Sequence, residues 1–410
     1  SSALCDAKLC GCALEPLGSL RSRAMAPQCI DVRRMNGEAV PVGAAEELKT
    51  VAQLRDRVAT VVGVSAISVR LSLQGKLLED GTLVADLPGG VVYLIVVPRL
   101  LAVSGAQDSK LLMWDLEALQ CVGVLEGHTK PVRAVSADFS MGRAVSGSQD
   151  KTVRVWDLAT MACLGRLDGH RNPVTCVSAD FLAGRALSGS ADRTIIVWDL
   201  EAWRQLGPAL GGHSRSVMTV SVSFAAGRAL SGSDDNTLRF WDLEKMECIG
   251  VLEGHRGFVF SVHADFGAQR AVSSSADTTL RIWDLESLTC MKALEGHTKY
   301  VTALSVDFKT QRALSGSGDD TLRVWDLEAQ ECLGAIKSNG SPIMTVSTDS
   351  SEGTERAVGG LRNGRLCIWD LKKMVVLADL EGHGIDQTVY AVSTGFGTLP
   401  SGGRPAVSAT

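Results

Sequence analysis

The sequence lacks the features typical of membrane, nucleic-acid-binding and secreted proteins. Its 410 residues include no long apolar run, no block of lysine and arginine and no secretory signal. The formal net charge is −5 and the pI is near 5.9, so we expect no electrostatic binding to nucleic acid or to an anionic membrane. These absences indicate an intracellular protein, cytoplasmic or nuclear, in a reducing compartment.

Aromatic residues are scarce too, at 5% of the chain, and most of the tryptophans and histidines fall into two repeating patterns. Tryptophan precedes aspartate at Trp114, Trp156, Trp198, Trp241, Trp283, Trp325 and Trp369. Histidine follows glycine at His128, His170, His213, His255, His297 and His383. Side chains that recur so regularly are expected to serve architecture, because a catalytic site is needed only once.

The Trp-Asp pairs recur at steps of 42, 42, 43, 42, 42 and 44 residues. Between them lie short apolar, β-branched runs separated by Gly, Asn, Asp and Pro, which is typical of strands and turns. The unit from Cys163 to Leu200 shows four such runs. Trp-Asp at a period of about 40–45 residues resembles the WD-repeat β-propeller family, in which each repeat forms four strands. We therefore predict a mainly β fold with a seven-bladed propeller.

The resemblance implies a role for the recurring polar residues. In that family the Gly-His histidine, a strand serine, a turn aspartate and the tryptophan form a buried hydrogen-bonded network, since buried polar groups need partners. An aspartate stands six residues before the tryptophan in six repeats: Asp108, Asp150, Asp192, Asp235, Asp277 and Asp319. We predict that these residues are structural, with no catalytic residue, cofactor or metal site.

One repeat departs from the pattern. Residues 337–341, Lys-Ser-Asn-Gly-Ser, replace Gly-His. Gly359 and Gly360 replace the serine-rich strand, and Asn363 replaces the aspartate. We predict that this blade lacks the polar network and is the most mobile. We interpret it as a decayed repeat, the alternative being a blade freed to bind a partner.

The chain has eleven cysteines, but their spacing argues against disulfides and metal sites. Five fall seven residues after a repeat tryptophan, each on the outer strand of a different blade: Cys121, Cys163, Cys248, Cys290 and Cys332. Such points lie too far apart for a disulfide, which needs Cα atoms within about 7 Å. We expect them to act as small, buried hydrophobic side chains. Cys5, Cys10 and Cys12 form a weak metal pattern without a partner pair.

The region before the repeats has a different pattern. Ile30 and Val32 alternate as on a half-buried strand, and Asn36-Gly37 is a hairpin-turn signal. Thr50 can cap a helix with apolar residues at helical spacing, and strands follow at 69–73 and 91–97. The segment 70–81, Arg-Leu-x-x-x-Gly-Lys-x-Leu-Glu-Asp-Gly, resembles ubiquitin. The order of elements is similar to the ubiquitin β-grasp fold, so we predict a small α+β domain.

Two departures from ubiquitin matter. Ser72 stands where the binding surface of ubiquitin has isoleucine. Val97-Pro98-Arg99 runs into the first repeat in place of a Gly-Gly tail. The resemblance therefore implies an integral ubiquitin-like domain that cannot be conjugated. Lys76 matches a chain-linking lysine, but we interpret it as an exposed loop lysine.

The expected domains are the ubiquitin-like domain at 27–98 and the propeller at 99–410. Residues 1–26 are expected to be disordered or translated from upstream of a start site at Met25. The first Trp-Asp strand has one strand before it, and 389–393 can supply the missing innermost strand and close the ring. Residues 404–410 copy the next strand of the repeat. They are a surplus strand, a sign of truncation within a repeat, or the product of a faulty gene model fusing two domains.

The leading functional hypothesis is a monomeric, non-catalytic scaffold that binds a protein or peptide partner. In the WD-repeat family the loop after Gly-His faces the mouth of the ring. The third residue after the histidine is Phe258 or Tyr300 on two adjacent blades, and it is Pro or Ser on three others: Pro131, Pro173 and Ser216. Exposed aromatics are favoured anchors, although Phe258 can instead pack beneath its own loop. The predicted partner site also includes the rim residues Asp234, Gln149 and Arg362.

The alternative is a substrate adaptor in the ubiquitin–proteasome pathway, acting through the ubiquitin-like domain. Against it, the Trp-Asp-x-Arg motif of cullin-linked propellers is missing, because the fourth position is Glu, Ala or Lys. An enzyme is the third class, and it needs a unique constellation of acid, base or nucleophile. His263 is the only histidine outside the repeats, which argues against an enzyme.

Overall fold

A computed structural model describes residues 31–34, 38–41, 48–62, 69–74, 76–79, 81–84, 87, 91–96, 99–348 and 356–397. Several predictions fall outside these ranges and stay predictions. They concern the segment 1–26, the cysteine group of Cys5, Cys10 and Cys12, the Asn36-Gly37 turn and the strand at 404–410.

The ubiquitin-like region forms a mixed sheet packed on one helix. Its strands are β1 (Asp31–Arg34), β2 (Val69–Leu73), β3 (Lys76–Leu77) and β4 (Val91–Val96), and its helix is α1 (Val51–Val62). The sheet order is β1-β4-β2-β3, with β1 parallel to β4. The helix packs Leu54 and Val58 into a common core with Leu71 and Leu94 of the sheet. This burial is the main force that holds the small domain together.

Helix α1 begins with a reciprocal cap. The backbone N–H of Gln53 donates to Thr50 Oγ1 at 3.4 Å. The side-chain oxygen of Gln53 accepts from the backbone N–H of Lys49 at 2.7 Å. These bonds satisfy donors that a helix start leaves without partners, and they confirm the predicted cap at Thr50. None of the residues described belongs to a helix of the length and apolarity needed to cross a membrane.

The described residues from 99 to 397 form seven four-stranded antiparallel sheets, one for each Trp-Asp pair. We number these blades 1 to 7 in the order of their tryptophans. Blade 1 combines β5 (Arg99–Ala106), β6 (Leu111–Asp115), β7 (Gln120–Leu125) and β32 (Val389–Gly397). Blade 2 consists of β8 (Val132–Asp138), β9 (Arg143–Ser148), β10 (Thr152–Asp157) and β11 (Ala162–Asp168). Blade 3 consists of β12 (Val174–Asp180), β13 (Arg185–Ser190), β14 (Thr194–Asp199) and β15 (Arg204–Gly211). Blade 4 consists of β16 (Val217–Ser223), β17 (Arg228–Ser233), β18 (Leu238–Asp242) and β19 (Glu247–Leu252). Blade 5 consists of β20 (Val259–Asp265), β21 (Arg270–Ser275), β22 (Leu280–Asp284) and β23 (Thr289–Leu294). Blade 6 consists of β24 (Val301–Asp307), β25 (Arg312–Ser317), β26 (Thr321–Asp326) and β27 (Glu331–Lys337). Blade 7 consists of β28 (Ile343–Thr348), β29 (Arg356–Leu361), β30 (Leu366–Asp370) and β31 (Val375–Leu380).

Strand β32 closes the ring. It pairs antiparallel with β5, with Val392 opposite Ser104 and Gly397 opposite Arg99. The innermost strands of successive blades contact one another in a closed cycle through β8, β12, β16, β20, β24, β28 and β32. Both ends of the repeat region therefore share one sheet. The predicted closure by residues 389–393 is confirmed, and the closing strand extends four residues further.

Neighbouring blades interlock through turn residues that cover glycines. Leu288, in a left-handed turn with φ 57°, covers Gly250 on the outer strand of blade 4. Trp203, with φ 55°, covers Gly165 on the outer strand of blade 2 in the same way. A Cβ at either glycine would collide with the covering side chain, so glycine provides the space for this contact.

The five repeated cysteines lie on outer strands as predicted, but the prediction that they are buried was wrong. Cys163 is exposed and the other four are half-buried. The outer strand lies at the circumference of the ring, where one side faces solvent. In blades 2, 4, 5 and 6 an arginine Nη1 donates to the cysteine sulfur; for example, Arg281 lies 3.3 Å from Cys290.

Candidate partner-binding site at the ring mouth

A buried chain of hydrogen bonds supports the loops at one end of the ring. In blade 3, Trp198 Nε1 donates to Ser188 Oγ at 2.7 Å, and Ser188 Oγ lies 2.8 Å from His170 Nε2. His170 Nδ1 lies 3.0 Å from Asp192 Oδ2. Because a carboxylate only accepts, His170 donates from Nδ1, and the Ser188 hydroxyl donates to Nε2. Each of these four side chains in blade 3 therefore has a hydrogen-bond partner.

The same arrangement recurs in five further blades of the described region. The histidine, serine, aspartate and tryptophan sets are His383, Ser104, Asp108, Trp114; His128, Ser146, Asp150, Trp156; His213, Ser231, Asp235, Trp241; His255, Ser273, Asp277, Trp283; and His297, Ser315, Asp319, Trp325. The structure thus brings together the residues of the predicted network. In blade 1 the network also joins the two ends of the repeat region.

The electrostatics of these sites suit a structural role. Burial alone would raise the pKa of the Asp192 and Asp277 carboxyls, but hydrogen bonds from the histidine, a threonine hydroxyl and the backbone outweigh it and lower the pKa. Burial lowers the pKa of His255, and its aspartate offsets only part of that effect. The pair is therefore an ionised carboxylate beside a neutral imidazole. Ser188 is fully buried and already bonded, so it cannot reach a substrate as a nucleophile.

Blade 7 lacks this network among the residues described. The indole N–H of Trp369 is buried and has no hydrogen-bond partner there. Gly359 stands in the place of the serine, and a Cβ built on it would lie 2.6 Å from the Trp369 ring and 2.7 Å from the carbonyl oxygen of Thr345. The ring therefore fills the space of the missing side chain. The greater mobility of this blade stays a prediction.

Two sets of loops form the mouth of the ring: those that carry the turn aspartates and those that lead from the histidines into the innermost strands. Backbone hydrogen bonds join the two sets. The residue before the turn aspartate donates its N–H to a carbonyl of the loop that enters the innermost strand. The predicted rim residues make this bond: Gln149 to Pro131 at 2.9 Å, Asp234 to Ser216 at 3.0 Å and Arg362 to Pro342 at 3.0 Å. Arg362 is exposed, whereas Gln149 and Asp234 are half-buried. Burial raises the pKa of the Asp234 carboxyl, which Ser216 offsets in part.

The two predicted aromatic residues belong to an arc of three rings. Phe258 meets Phe260 edge-on with ring centroids 6.4 Å apart, and Phe260 meets Tyr300 with centroids 6.5 Å apart. Phe258 is 40% exposed, so it packs on its neighbour and still faces solvent. Tyr300 is half-buried, with its ring over Gly318. We call Phe258, Phe260 and Tyr300 the aromatic arc; it lies on blades 5 and 6.

A cavity of about 420 Å³ opens beside the aromatic arc. Its lining consists of Gln107, Phe260, Tyr300, Thr302, Met344, Arg362, Thr388 and Tyr390. The volume lies in the lower range of ligand pockets and suits one bulky side chain. Of the predicted site residues, Tyr300 and Arg362 line this cavity. Phe258, Asp234 and Gln149 are not among the lining residues.

A channel runs from the mouth between the innermost strands. Its lining includes the second residue of each of these strands: Arg133, Thr175, Met218, Phe260, Thr302, Met344 and Tyr390. Sequence reasoning missed this position and with it Phe260 and Tyr390. It also missed Arg133, whose guanidinium carbon lies 3.9 Å from the centroid of the Tyr390 ring, a cation–π contact. Comparing the second residue of the strand across the repeats could have found all three.

Comparison with known families agrees with this geometry. The family model "WD domain, G-beta repeat" matches residues 119–157, 161–199, 205–242, 246–284 and 288–326, and the family model "Ubiquitin family" matches residues 30–97. The chain is a WD40-repeat protein with a ubiquitin-like domain. The five matched repeats are fewer than the seven blades, since the repeats at Trp114 and Trp369 are not matched. No curated protein is significantly similar to the chain.

WD40-repeat proteins are generally non-enzymatic scaffolds and typically bind protein partners. The WD40 repeats and the ubiquitin-like domain together fit a protein-interaction scaffold. Within the ranges described, His, Cys, Asp and Glu side chains form no group that could hold a metal ion.

Proposed function

We propose that this WD40-repeat protein binds a segment of a partner protein at the ring mouth and acts as a non-catalytic scaffold. The observation that carries the proposal is the aromatic arc beside the 420 Å³ cavity. Large, rigid rings that remain partly exposed next to a pocket are typical binding anchors. In this account a bulky side chain of the partner enters the cavity and packs on the rings.

The rigidity of the mouth supports the proposal. In blade 3 the backbone N–H of Arg171 donates to Asp192 Oδ2 at 2.8 Å, which ties the loop after the histidine to the network. The corresponding bond in blade 5 joins Arg256 to Asp277 at 2.9 Å. Loops that are ordered before binding lose less conformational entropy when a partner arrives. The network therefore serves binding indirectly, by fixing the surface.

A second candidate surface lies on the ubiquitin-like domain. Tyr93 and Leu77 stand on either side of Ser72 in register across β4, β2 and β3, and they are 38% and 62% exposed. Leu71 and Leu94, the neighbours along the strands, face the core with α1, so this row lies on the other face of the sheet. It favours the adaptor hypothesis, in which this domain contacts a proteasome or ligase component.

Affinity purification with quantitative mass spectrometry separates the two hypotheses. Tagged full-length chain is compared with the variants Phe258→Ala/Tyr300→Ala and Leu77→Ala/Tyr93→Ala. The proposal predicts partners that the mouth variant loses and the ubiquitin-like-domain variant retains. The opposite result would move the main binding site to the ubiquitin-like domain.

The scaffold is further proposed to act as a monomer within larger complexes, in the cytoplasm or nucleus. Its domains would be 27–98 and 99–410. Light scattering of the purified chain tests the monomer, since a dimer doubles the measured mass.

A further inference from the structure

Basic side chains gather at the ring mouth although they are scattered along the sequence. They lie in the loops that follow the network histidines and directly after the turn aspartates. The exposed ones are Lys130, Lys151, Arg171, Arg193, Arg215, Arg256 and Lys299. Among the residues described, the salt bridges of the propeller are formed by other cations. These seven side chains thus present their charge to solvent.

The cations are densest on blades 2 and 3. Lys130 and Lys151 belong to blade 2, and Arg171 and Arg193 belong to blade 3. Arg133 adds a fifth charge where the channel begins. We call these five residues the basic arc. On blades 4 and 6, by contrast, half-buried Asp234 and Asp320 stand at the rim, so the positive charge is concentrated on one side.

The carboxylates in the same loops are engaged elsewhere. Asp150 and Asp192 have side chains only 7% and 9% exposed and are bonded to their histidines. At the outer ends of the loops, Glu126 pairs with Lys110 at 2.9 Å and Asp168 pairs with Arg166 at 2.7 Å. Four members of the basic arc are therefore exposed cations, and the acids just named in their loops are already paired. Arg133, the fifth member, is half-buried and stacks on Tyr390.

The two arcs face each other across the channel. Blades 2 and 3 carry the basic arc and blades 5 and 6 carry the aromatic arc, so three steps out of seven separate them around the ring. This arrangement gives the mouth a strongly basic side and, opposite it, a side with exposed rings and fewer cations, Arg256 on blade 5 and Lys299 on blade 6. A segment lying across it would meet rings at one end and cations at the other.

We infer that the mouth selects an acidic segment of a partner protein, with several Asp or Glu side chains and one bulky apolar residue. The apolar residue packs on Phe258, Phe260 and Tyr300, and the carboxylates pair with the basic arc. Complementary charge of this kind gives specificity and a salt-dependent association rate. The inference deepens the proposed function and rests on it, because both concern the same surface.

A nucleic acid fits this surface less well than an acidic protein segment. Glu253 and Glu295 are exposed directly after the outermost strands β19 and β23, at the same end of the ring. A polyanion long enough to cross the mouth would run over these carboxylates, and every one of its phosphates is charged. A short protein segment can place its acids on the basic arc and end there.

The test measures fluorescence anisotropy of short synthetic peptide pools with the full-length chain. Each pool has one central Phe or Leu; the flanking positions are Asp and Glu in the first pool and Asn and Gln in the second. We expect the acidic pool to bind at least about tenfold more tightly and to lose this advantage at high salt. Lys130→Glu/Arg171→Glu should weaken acidic-pool binding about tenfold. The matched variant Lys292→Glu/Lys309→Glu, which makes the same charge change on exposed residues away from the mouth, should leave binding unchanged.

Three outcomes would overturn the inference. Equal binding of both pools, weakened alike by Phe258→Ala/Tyr300→Ala, would remove the acidic selectivity and leave the mouth as the binding surface. Binding of neither pool would also reject the inference. The proposed function would then still be tested separately by the affinity-purification comparison. Tighter binding of a mixed-sequence single-stranded oligonucleotide than of the acidic pool would assign the basic arc to nucleic acid.

Discussion

His170 holds the middle of a buried chain of hydrogen bonds from Trp198 to Asp192. In His170→Ala the serine and the carboxylate lose their partner, and we expect the free energy of unfolding to fall by about 1–3 kcal/mol. Urea unfolding measures this. Leu182→Ala, at a residue 91% exposed, is the control and should change stability by less than about 0.5 kcal/mol. Unchanged stability together with lost partner binding would mean that His170 acts in binding and not in architecture.

For the change Gly359→Ser, the structure and the repeat pattern predict opposite effects on stability. By the repeat pattern, a serine at this place would give the indole N–H of Trp369 its missing partner. The added Cβ would, however, collide with the Trp369 ring and with a backbone carbonyl, which cannot move aside cheaply. We expect Gly359→Ser to destabilise the protein by about 1–3 kcal/mol, measured by chemical unfolding. The reverse change in a regular blade, Ser315→Gly, should also destabilise, because it removes a bonded hydroxyl; a stabilising Gly359→Ser would contradict this account.

At the scale of strands and turns, the contact between blades 4 and 5 depends on Gly250, because Leu288 occupies the space that a side chain at this position would need. In Gly250→Val the new methyl groups collide with Leu288, and we expect a loss of about 1–3 kcal/mol in unfolding free energy. Shortening Leu288 to alanine should make space for the valine. The double change Gly250→Val/Leu288→Ala should therefore lower the free energy of unfolding by less than the sum of the two single changes. A double-mutant cycle in urea measures this coupling. Strict additivity would show that the turn does not constrain the strand.

The strands themselves could be predicted from the sequence because their signals are local and repeated. The Thr50 cap depends on a residue three positions away, and the closing strand at 389–393 was implied by a repeat that began without its innermost strand. The exposure of Cys163 could not be predicted from such local signals. Its position on an outer strand was clear, but the sequence alone does not show which side of that strand is covered by the next blade.

For the whole molecule, the stability should fall in acid in two steps. Burial lowers the pKa of His213, His255 and His297 below the ordinary value and that of His263 to about 4. Below about pH 6.5 the unfolded chain therefore binds protons that the folded chain does not, and the free energy of unfolding falls. The turn aspartates have a lowered pKa when folded. Their contribution is present above about pH 4 and is lost as the pH falls further.

Urea midpoints between about pH 7.5 and pH 4.5 test the first step. The wild-type midpoint should decrease steadily below about pH 6.5. His263→Leu should reduce the loss of stability between pH 6.5 and pH 5 by about 1–2 kcal/mol, because this buried ring has no partner for Nδ1 among the described residues. A profile of the same slope in wild type and variant would contradict the assignment to His263.

The mouth of the ring shows where prediction from sequence stops. Phe258 and Tyr300 were visible because they break a pattern at one loop position, but Phe260 and Tyr390 lie on strands whose inner face was not distinguished. The basic arc was hidden for a related reason: its members come from two repeats and never form a run of like charge. Residues one period apart in sequence become neighbours when the ring closes, so the surface exists only at the scale of the whole molecule.

The central claim is that the aromatic arc is the binding surface, and one affinity measurement tests it most directly. Isothermal titration of the purified principal partner compares wild type with Phe258→Ala/Tyr300→Ala and with Leu164→Ala/Leu333→Ala, which trims two exposed residues of outer strands. Truncating anchor residues typically costs about 2 kcal/mol or more, so the mouth variant should bind about 30-fold more weakly or worse at an unchanged melting temperature. The outer-strand variant should bind like wild type. Undiminished affinity in a folded mouth variant would contradict the account and point first to Tyr93 and Leu77 of the ubiquitin-like domain.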